Sequence, residues 1–400
     1  MGILKNLFIT VKVFLRISLV ILNNIYCCPT YFIWMLVFQP LRWLKPRLYW
    51  HIEGKFFHWL LAMVSMWSWS AGYAIAEAGD DIRQCTEART LVLVNHQSTG
   101  DVPMLMAALN PKRGVLPNIM WIMDKIFKYT NFGAISTLHE DFFILSGRTQ
   151  REQAIVELRQ HIRNSYIPRK RKWMMLFPEG GFLRKRREVS QRYAAKNNLP
   201  QLQHVSLPRL GAVGAIFEEL HPDEEEICTD KLGNTAIFPP DTTLETELNP
   251  VRHNGKKIER EKGLKIDNDT LGYVLDITIG YPQGNPIDLP TIIMGQRDPC
   301  TTTLFYRLYP ISHVPYGKEE LTRWLYDRWE EKEHMLDAFY RSGQFPSRHT
   351  GYSSSPLPPT QLAQSPLRFL MLHLLFMTSS FFHYKLIEFG YAYFNSVGPL

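Results

Sequence analysis

Three uncharged, apolar stretches frame the chain, and between them the pattern changes to short strand-like and helix-like segments. From Ile17 to Phe38 no side chain carries a charge, and about 22 residues at helical rise cover the roughly 30 Å hydrocarbon core of a bilayer. Lys12 and Arg16 flank this run on one side, Arg42, Lys45 and Arg47 on the other, while Asn23, Asn24 and Pro29 lie inside it. The pattern predicts a span, with a broken, shallow helix as the alternative. A cleaved signal peptide is not expected, because the apolar stretch is too long and no small-residue cleavage pattern follows it. A second uncharged run, Phe56 to Ala76, contains Trp59, Trp67 and Trp69. A span, a helix in one leaflet and a buried core helix all remain open for it. The third, Phe369 to Tyr384, follows the loop-like tract SSSPLPPTQLAQSP (Ser353 to Pro366). It is short for a span and suits an interfacial or tilted segment. Basic residues on both flanks of the first run leave the orientation rule silent.

Between these runs, Leu91-Val92-Leu93-Val94 and Trp173-Met174-Met175-Leu176-Phe177 read as buried strands ending in turn-prone residues. Ala154, Ile155, Leu158 and Ile162 recur at helical spacing, so Thr149 to Ser165 is expected to be an amphipathic helix. Tyr273 to Ile279 and Leu304 to Ile311 alternate as two later strands. The acidic segment Glu218 to Gly263 reads as a solvated insertion or lid. Lys318 to Ser342 carries Leu321, Leu325, Trp329, Leu336 and Phe339 on one face and stops at Gly343 and Pro346, as a terminated helix does. The order strand, helix, strand predicts an α/β fold, a mixed sheet flanked by helices, with N- and C-terminal membrane helices. The expected division is membrane-embedded helices in 1–80, a catalytic unit in 85–316 with its polar insertion near 218–263, an amphipathic helix in 317–346, a linker in 347–366 and a membrane segment in 367–400.

Composition narrows the class. Hydrophobic residues make up 45% and charged residues 21% of 400 positions, enough for a real core and against disorder as the main state. Five cysteines, Cys27, Cys28, Cys85, Cys228 and Cys300, form no Cys-x-x-Cys pair or Cys/His cluster, so neither a disulfide framework nor a metal site is expected. The net charge is +7. Between Pro168 and Arg192 nine basic residues (Arg169, Lys170, Arg171, Lys172, Arg184, Lys185, Arg186, Arg187, Arg192) face two acidic ones, Glu179 and Glu188. Such a segment suits anions, whether nucleic acid, lipid headgroups or phosphate-bearing cofactors. Nucleic acid is not expected as a partner, because no recognition motif accompanies the charge and the chain ends are membrane-prone.

Two segments carry candidate chemistry. After the first strand comes Asn95-His96-Gln97-Ser98-Thr99-Gly100-Asp101. If the turn folds back, Asp101 can accept the proton on one imidazole nitrogen of His96 and leave the other nitrogen free to take a proton from a substrate hydroxyl. A structural histidine beside an N-capping aspartate has the same spacing. The second strand ends in Phe177-Pro178-Glu179-Gly180-Gly181, followed by Arg184, Lys185, Arg186 and Arg187. A carboxylate at a strand end, glycines that let backbone approach a ligand, and a basic cluster could grip a phosphate-bearing substrate; a turn before a solvated basic helix reads the same.

Together these segments resemble the glycerolipid acyltransferase family, whose hallmark is Asn-His, four residues, Asp, followed later by Phe-Pro-Glu-Gly. Here they are NHQSTGD at Asn95 to Asp101 and FPEGG at Phe177 to Gly181. The stretches VNHQSTGD, FKYTNFG, FPEGGFLRKRRE and KNNLP, with Gly343-Gln344-Phe345-Pro346, are closely similar to its lysophosphatidylglycerol acyltransferase branch. The resemblance implies acyl transfer from acyl-CoA, a co-substrate and not a cofactor, to the free hydroxyl of a lysophospholipid. Lysophosphatidylglycerol or lysophosphatidylethanolamine would be the acceptor, at the endoplasmic reticulum membrane with the active site on the cytosolic face. It makes His96 the general base and Asp101 its orienter, and assigns Glu179 and Gly180 to acceptor binding. The family's intermediate motif falls on Phe143-Ile144, where Leu145 replaces a polar residue and Arg148 comes later than usual. The last motif matches Leu207-Pro208, with Arg209 beside it. The phosphates of coenzyme A would meet Arg184, Lys185 and Arg186. Rival readings are a monoacylglycerol acyltransferase, a hydrolase using Ser98 and a non-catalytic lipid-binding membrane protein. The residues say nothing of oligomeric state.

Overall fold

All five residues of Thr90–Val94 are buried, as a strand covered on both faces requires. Leu91 and Leu93 enter one hydrophobic core, Val92 and Val94 the other, so the period of two splits one strand between two helical layers. The computed structural model describes residues 2–145, 147, 149–221, 269–346 and 357–397. Within them, this strand (β2) lies inside an eight-stranded mixed sheet ordered β4-β3-β5-β2-β6-β7-β1-β8. The others are β1 (Tyr73–Gly79), β3 (Ile119–Asp124), β4 (Phe142–Ile144), β5 (Trp173–Leu176), β6 (Tyr273–Gly280), β7 (Cys300–Pro310) and β8 (Leu357–Gln361). β4, β3, β5, β2 and β6 run parallel, β7 turns antiparallel to β6, and β1 follows β7 in parallel. Five carboxyl ends therefore share one edge.

One face is covered by α3 (Pro46–Ser70) and α4 (Asp101–Leu109), with α1 (Gly2–Val37) laid against α3 and joined to it by the short α2 (Gln39–Leu44). The other face carries α6 (Arg151–His161), α8 (Leu210–Leu220) and α10 (Lys318–Ser342). Between them in the chain lie α5 (Asn131–Leu138), α7 (Leu183–Lys196) and α9 (Leu289–Met294), and α11 (Pro366–Val397) ends the described chain.

The apolar runs resolve differently. α1 is one continuous helix through Pro29: Asn24 Nδ2 donates to Val20 O at 2.8 Å, and Ser380 Oγ of α11 donates to Tyr26 O at 3.2 Å. These bonds brace the helix on the N-terminal side of the proline and dock it against α11. α3 is a core helix, with Phe57, Leu61 and Met63 buried. The run then leaves the helix at Gly72, and Tyr73 begins β1 instead of more helix. α11 is longer than the uncharged run, because Lys385 and Glu388, one turn apart, pair at 2.7 Å and let the helix continue. α1 and α11 are two helices long and apolar enough to cross a membrane. The tract expected as loop contains β8, antiparallel to β1 at the sheet edge, where Pro358 and Pro359 are tolerated because one side of the strand is unpaired. Residues 222–263 of the expected insertion lie outside the described residues.

The basic segment also needs correction. Arg169 and Arg171 are not surface cations. Arg169 Nη2 meets Glu53 Oε2 of α3 at 3.0 Å, and Arg171 Nη1 lies 3.6 Å from Asp141 Oδ1, all buried. Glu53 also accepts from Tyr31 Oη of α1 at 2.6 Å and pairs with His139 Nδ1 at 2.7 Å. Buried charges survive only with such partners, and this group ties α1 and α3 to the segment that follows α5.

Candidate active site

The ends of β2, β5 and β6 are held in register, with Leu93 opposite Leu176 and Val94 opposite Ile277. Asn95 extends this pairing with its side chain: Ile279 N donates to its Oδ1 at 2.7 Å, and its Nδ2 donates to Ile279 O at 3.2 Å. His96 therefore leaves the sheet from a fixed point. The chain then turns back, and Asp101, the first residue of α4, brings Oδ2 to 2.8 Å from His96 Nδ1. That oxygen also accepts Gln97 N at 2.7 Å and Ser98 N at 3.0 Å, and Oδ1 accepts Tyr281 Oη at 2.6 Å. Three other donors already point at this carboxylate, so Nδ1 is the donor of the His96 pair. Gly100 permits the turn: a Cβ there would lie 2.0 Å from Ile287 O.

The imidazole is clamped between Phe177, at 4.1 Å between ring centroids, and Phe182, at 4.4 Å. Its side chain keeps 12% of its surface exposed, and among the described residues Nε2 has no hydrogen-bond partner. An oriented imidazole with one open basic nitrogen at a strand-end edge can remove a proton from a hydroxyl.

The structure places Glu179 behind His96, facing inward. Its Oε1 accepts His96 N at 3.0 Å and Trp329 Nε1 at 3.3 Å; its Oε2 accepts Ser206 N at 3.1 Å and Ser206 Oγ at 2.7 Å. Burial pushes this carboxyl up to about 7, against the lowering effect of those bonds. All four contacts are internal, so this geometry has Glu179 hold the histidine turn. Gly180 adopts φ +68°, a left-handed conformation that favours glycine, and a Cβ there would lie 3.2 Å from the Arg209 guanidinium. Its carbonyl accepts Arg186 Nε at 3.0 Å. Burial, then the nearby charges of Arg186 and Arg151, lower the Arg209 pKa, so three arginines concentrate positive charge beside the turn. Arg184 and Lys185 are exposed on α7. Arg148 lies outside the described residues.

Ser98 is not poised as a nucleophile, because its Oγ donates to Ile287 O at 2.6 Å. Sequence reasoning missed three members of the site, Tyr281, Ser206 and Trp329. Only Trp329 leaves a signal, as an aromatic on the one-sided stripe of Lys318 to Ser342. The others come from strand ends and loops far away in the chain.

Residues 77–208 match the family described as Acyltransferase, and residues 292–373 the one described as Acyltransferase C-terminus. The chain is similar to the mouse acyl-CoA:lysophosphatidylglycerol acyltransferase 1, 43% identical over 338 residues, 84% of each chain. The human protein of the same name is 43% identical over 337 residues, again 84% of each. A putative 1-acyl-sn-glycerol-3-phosphate acyltransferase of Caenorhabditis elegans is 28% identical over 319 residues, 78% of this chain and 72% of that one. No solved structure matches the chain.

Proposed function

The chain belongs to the acyltransferase family, and from that premise we propose that it moves a long-chain acyl group from acyl-CoA to the free hydroxyl of a lysophospholipid, lysophosphatidylglycerol or lysophosphatidylethanolamine. The observation that carries this reading is the His96–Asp101 pair, 2.8 Å apart, with Nε2 open at the strand-end edge. The acceptor hydroxyl gives its proton to Nε2 as its oxygen attacks the thioester carbonyl. A backbone amide near the motif or a nearby donor stabilises the charge that develops on the carbonyl oxygen. The carbon–sulfur bond then breaks, and the coenzyme A thiolate takes the proton back from the imidazolium. No acyl-enzyme forms.

Within this reading Asp101 fixes the imidazole, Glu179 positions its backbone, and Gly180 shapes the turn. The phosphates of coenzyme A are met by Arg184, Lys185 and Arg186, with Arg209 beside them, and Arg148 is added by resemblance on the acceptor side. The apolar helices α1 and α11 hold the enzyme in the endoplasmic reticulum membrane, with this edge on the cytosolic side.

The test is acyl transfer by detergent-purified protein, with labelled stearoyl-CoA, a panel of lysophospholipids and monoacylglycerol, and His96→Ala alongside. Base catalysis contributes about 10²–10⁴-fold, so the variant should lose at least that much turnover while keeping its near-UV circular dichroism. Product from monoacylglycerol alone would move the acceptor to that class. Coenzyme A release without acylated lipid would mean hydrolysis, and silence from a folded protein that still binds acyl-CoA would remove the catalytic reading.

A further inference from the structure

The short 3₁₀ turn Lys125–Tyr129 directly follows β3, at the edge where His96 and Glu179 also leave the sheet. Ile126 is 69% exposed, Phe127 38% and Tyr129 82%, with exposed Lys125 and Lys128 between and beside them. Single apolar side chains on a surface are ordinary. Three in five consecutive positions, interleaved with lysines, form an apolar patch with a basic rim.

The turn is built to hold that patch outward. Asp124 Oδ1 accepts Ile126 N at 3.0 Å, and Phe127 O accepts both Thr130 N at 3.0 Å and Thr130 Oγ1 at 2.7 Å. Two residues beyond it, Asn131 Nδ2 donates to Asn24 Oδ1 of α1 at 2.6 Å. Around Asn24, α1 exposes Ile21, Leu22 and Ile25, and α1 is one of the two helices long and apolar enough to cross a membrane. The patch is therefore fastened to a helix whose own outer face is apolar, and its cations suit a negatively charged surface.

We propose that Lys125–Tyr129 is a lipid-contacting turn that seats the active-site edge on the headgroup layer of an anionic phospholipid leaflet, with Ile126 and Tyr129 inserted and Lys125 and Lys128 on the phosphates. The proposal rests on α1 being membrane-embedded, and its test does not use catalysis. A photoreactive p-benzoylphenylalanine is placed at Tyr129, at Leu15 of α1, or at Val156 of α6, in the full chain reconstituted in nanodiscs. The discs contain radiolabelled phosphatidylserine or radiolabelled phosphatidylcholine.

The expected result is a lipid adduct at positions 129 and 15 and none at 156. The yield at 129 should be several-fold greater with phosphatidylserine, and that excess should vanish in Lys125→Glu/Lys128→Glu. An adduct at 15 without one at 129 overturns the proposal. Equal yields at 129 from the two lipids overturn the choice of an anionic surface, and a protein-sized adduct at 129 assigns the patch to a protein partner instead. Loss of the adduct at 15 as well would show that α1 is not in lipid, which sinks the premise and the proposal together.

Discussion

His96 can serve as a base only while Asp101 keeps Nδ1 occupied, and Tyr281 is the buried group that holds the second oxygen of Asp101, at 2.6 Å. Tyr281→Phe removes that donor without changing shape. Hydrogen bonds to charged groups are worth about 1.5–3 kcal/mol, so kcat should fall about 10- to 100-fold, with KM for both substrates unchanged. Steady-state kinetics decide it: a shift in KM alone would place Tyr281 on substrate. Glu179 makes a second prediction. Its folded pKa of about 7 lies above the ordinary 4.5, so the folded state binds the proton more tightly than the unfolded chain does. Its stabilising contribution is complete below about 4.5 and is lost as pH rises through about 7, a change of a few kcal/mol. Thermal unfolding in detergent should therefore show a lower midpoint at pH 8 than at pH 5, with that slope reduced in Glu179→Gln. The glutamine variant should also be less stable throughout, because its amide NH₂ would face either the His96 and Trp329 donors or those of Ser206. An unchanged slope would assign the titration to another group.

At the scale of elements, α10 is fixed to β6 by a buried ion pair. Lys332 Nζ lies 2.5 Å from Asp276 Oδ1 and donates to Ile277 O at 2.7 Å and Thr278 Oγ1 at 3.2 Å. Burial pulls Lys332 down and pushes Asp276 up. One turn earlier on the same helix, Trp329 reaches Glu179, so the seating of α10 bears directly on the histidine turn. Lys332→Met leaves Asp276 buried without its partner and should cost about 3–5 kcal/mol in denaturant unfolding; Lys332→Met/Asp276→Leu should recover most of that loss. No recovery in the double variant would mean that packing, and not the unpaired charge, sets the cost. The helix itself was legible from its apolar stripe. Lys332 lies on that stripe, three residues after Trp329 and four before Leu336, and a charge at an apolar position is the mark a sequence leaves of a buried pair.

For the whole molecule, α1 is more than an anchor. Besides the Tyr31–Glu53 bond, Arg16 donates to Ile292 O and Ile293 O of α9 and to Trp67 O of α3, at 2.8–3.1 Å. Cys27, Tyr31 and Met35 lie in the core that also holds Phe57 and Leu61. Deleting residues 2–37 should therefore yield an aggregating chain instead of a soluble active unit, as size-exclusion chromatography in and out of detergent would show. A monodisperse, active truncated protein would reduce α1 to an attachment.

The sequence by itself determined what depends on neighbours in the chain. The spacing of His96 and Asp101, the strand runs of β2 and β5, the amphipathic stripe of α10 and each of the two segments that together carry the family resemblance lie within a few turns or one strand, where periodicity and turn chemistry act. Only the tertiary structure decided what depends on pairing across the chain. It turned Glu179 inward onto His96 N, 83 residues away, and brought Tyr281 to Asp101 across 180 residues. It sent Arg169 and Arg171 inside while leaving Arg184 and Lys185 exposed, and it made a strand of a proline tract. In each case the deciding term is the loss of water around a polar group and the arrival of a distant partner that replaces it. Local sequence carries no record of which partner that will be.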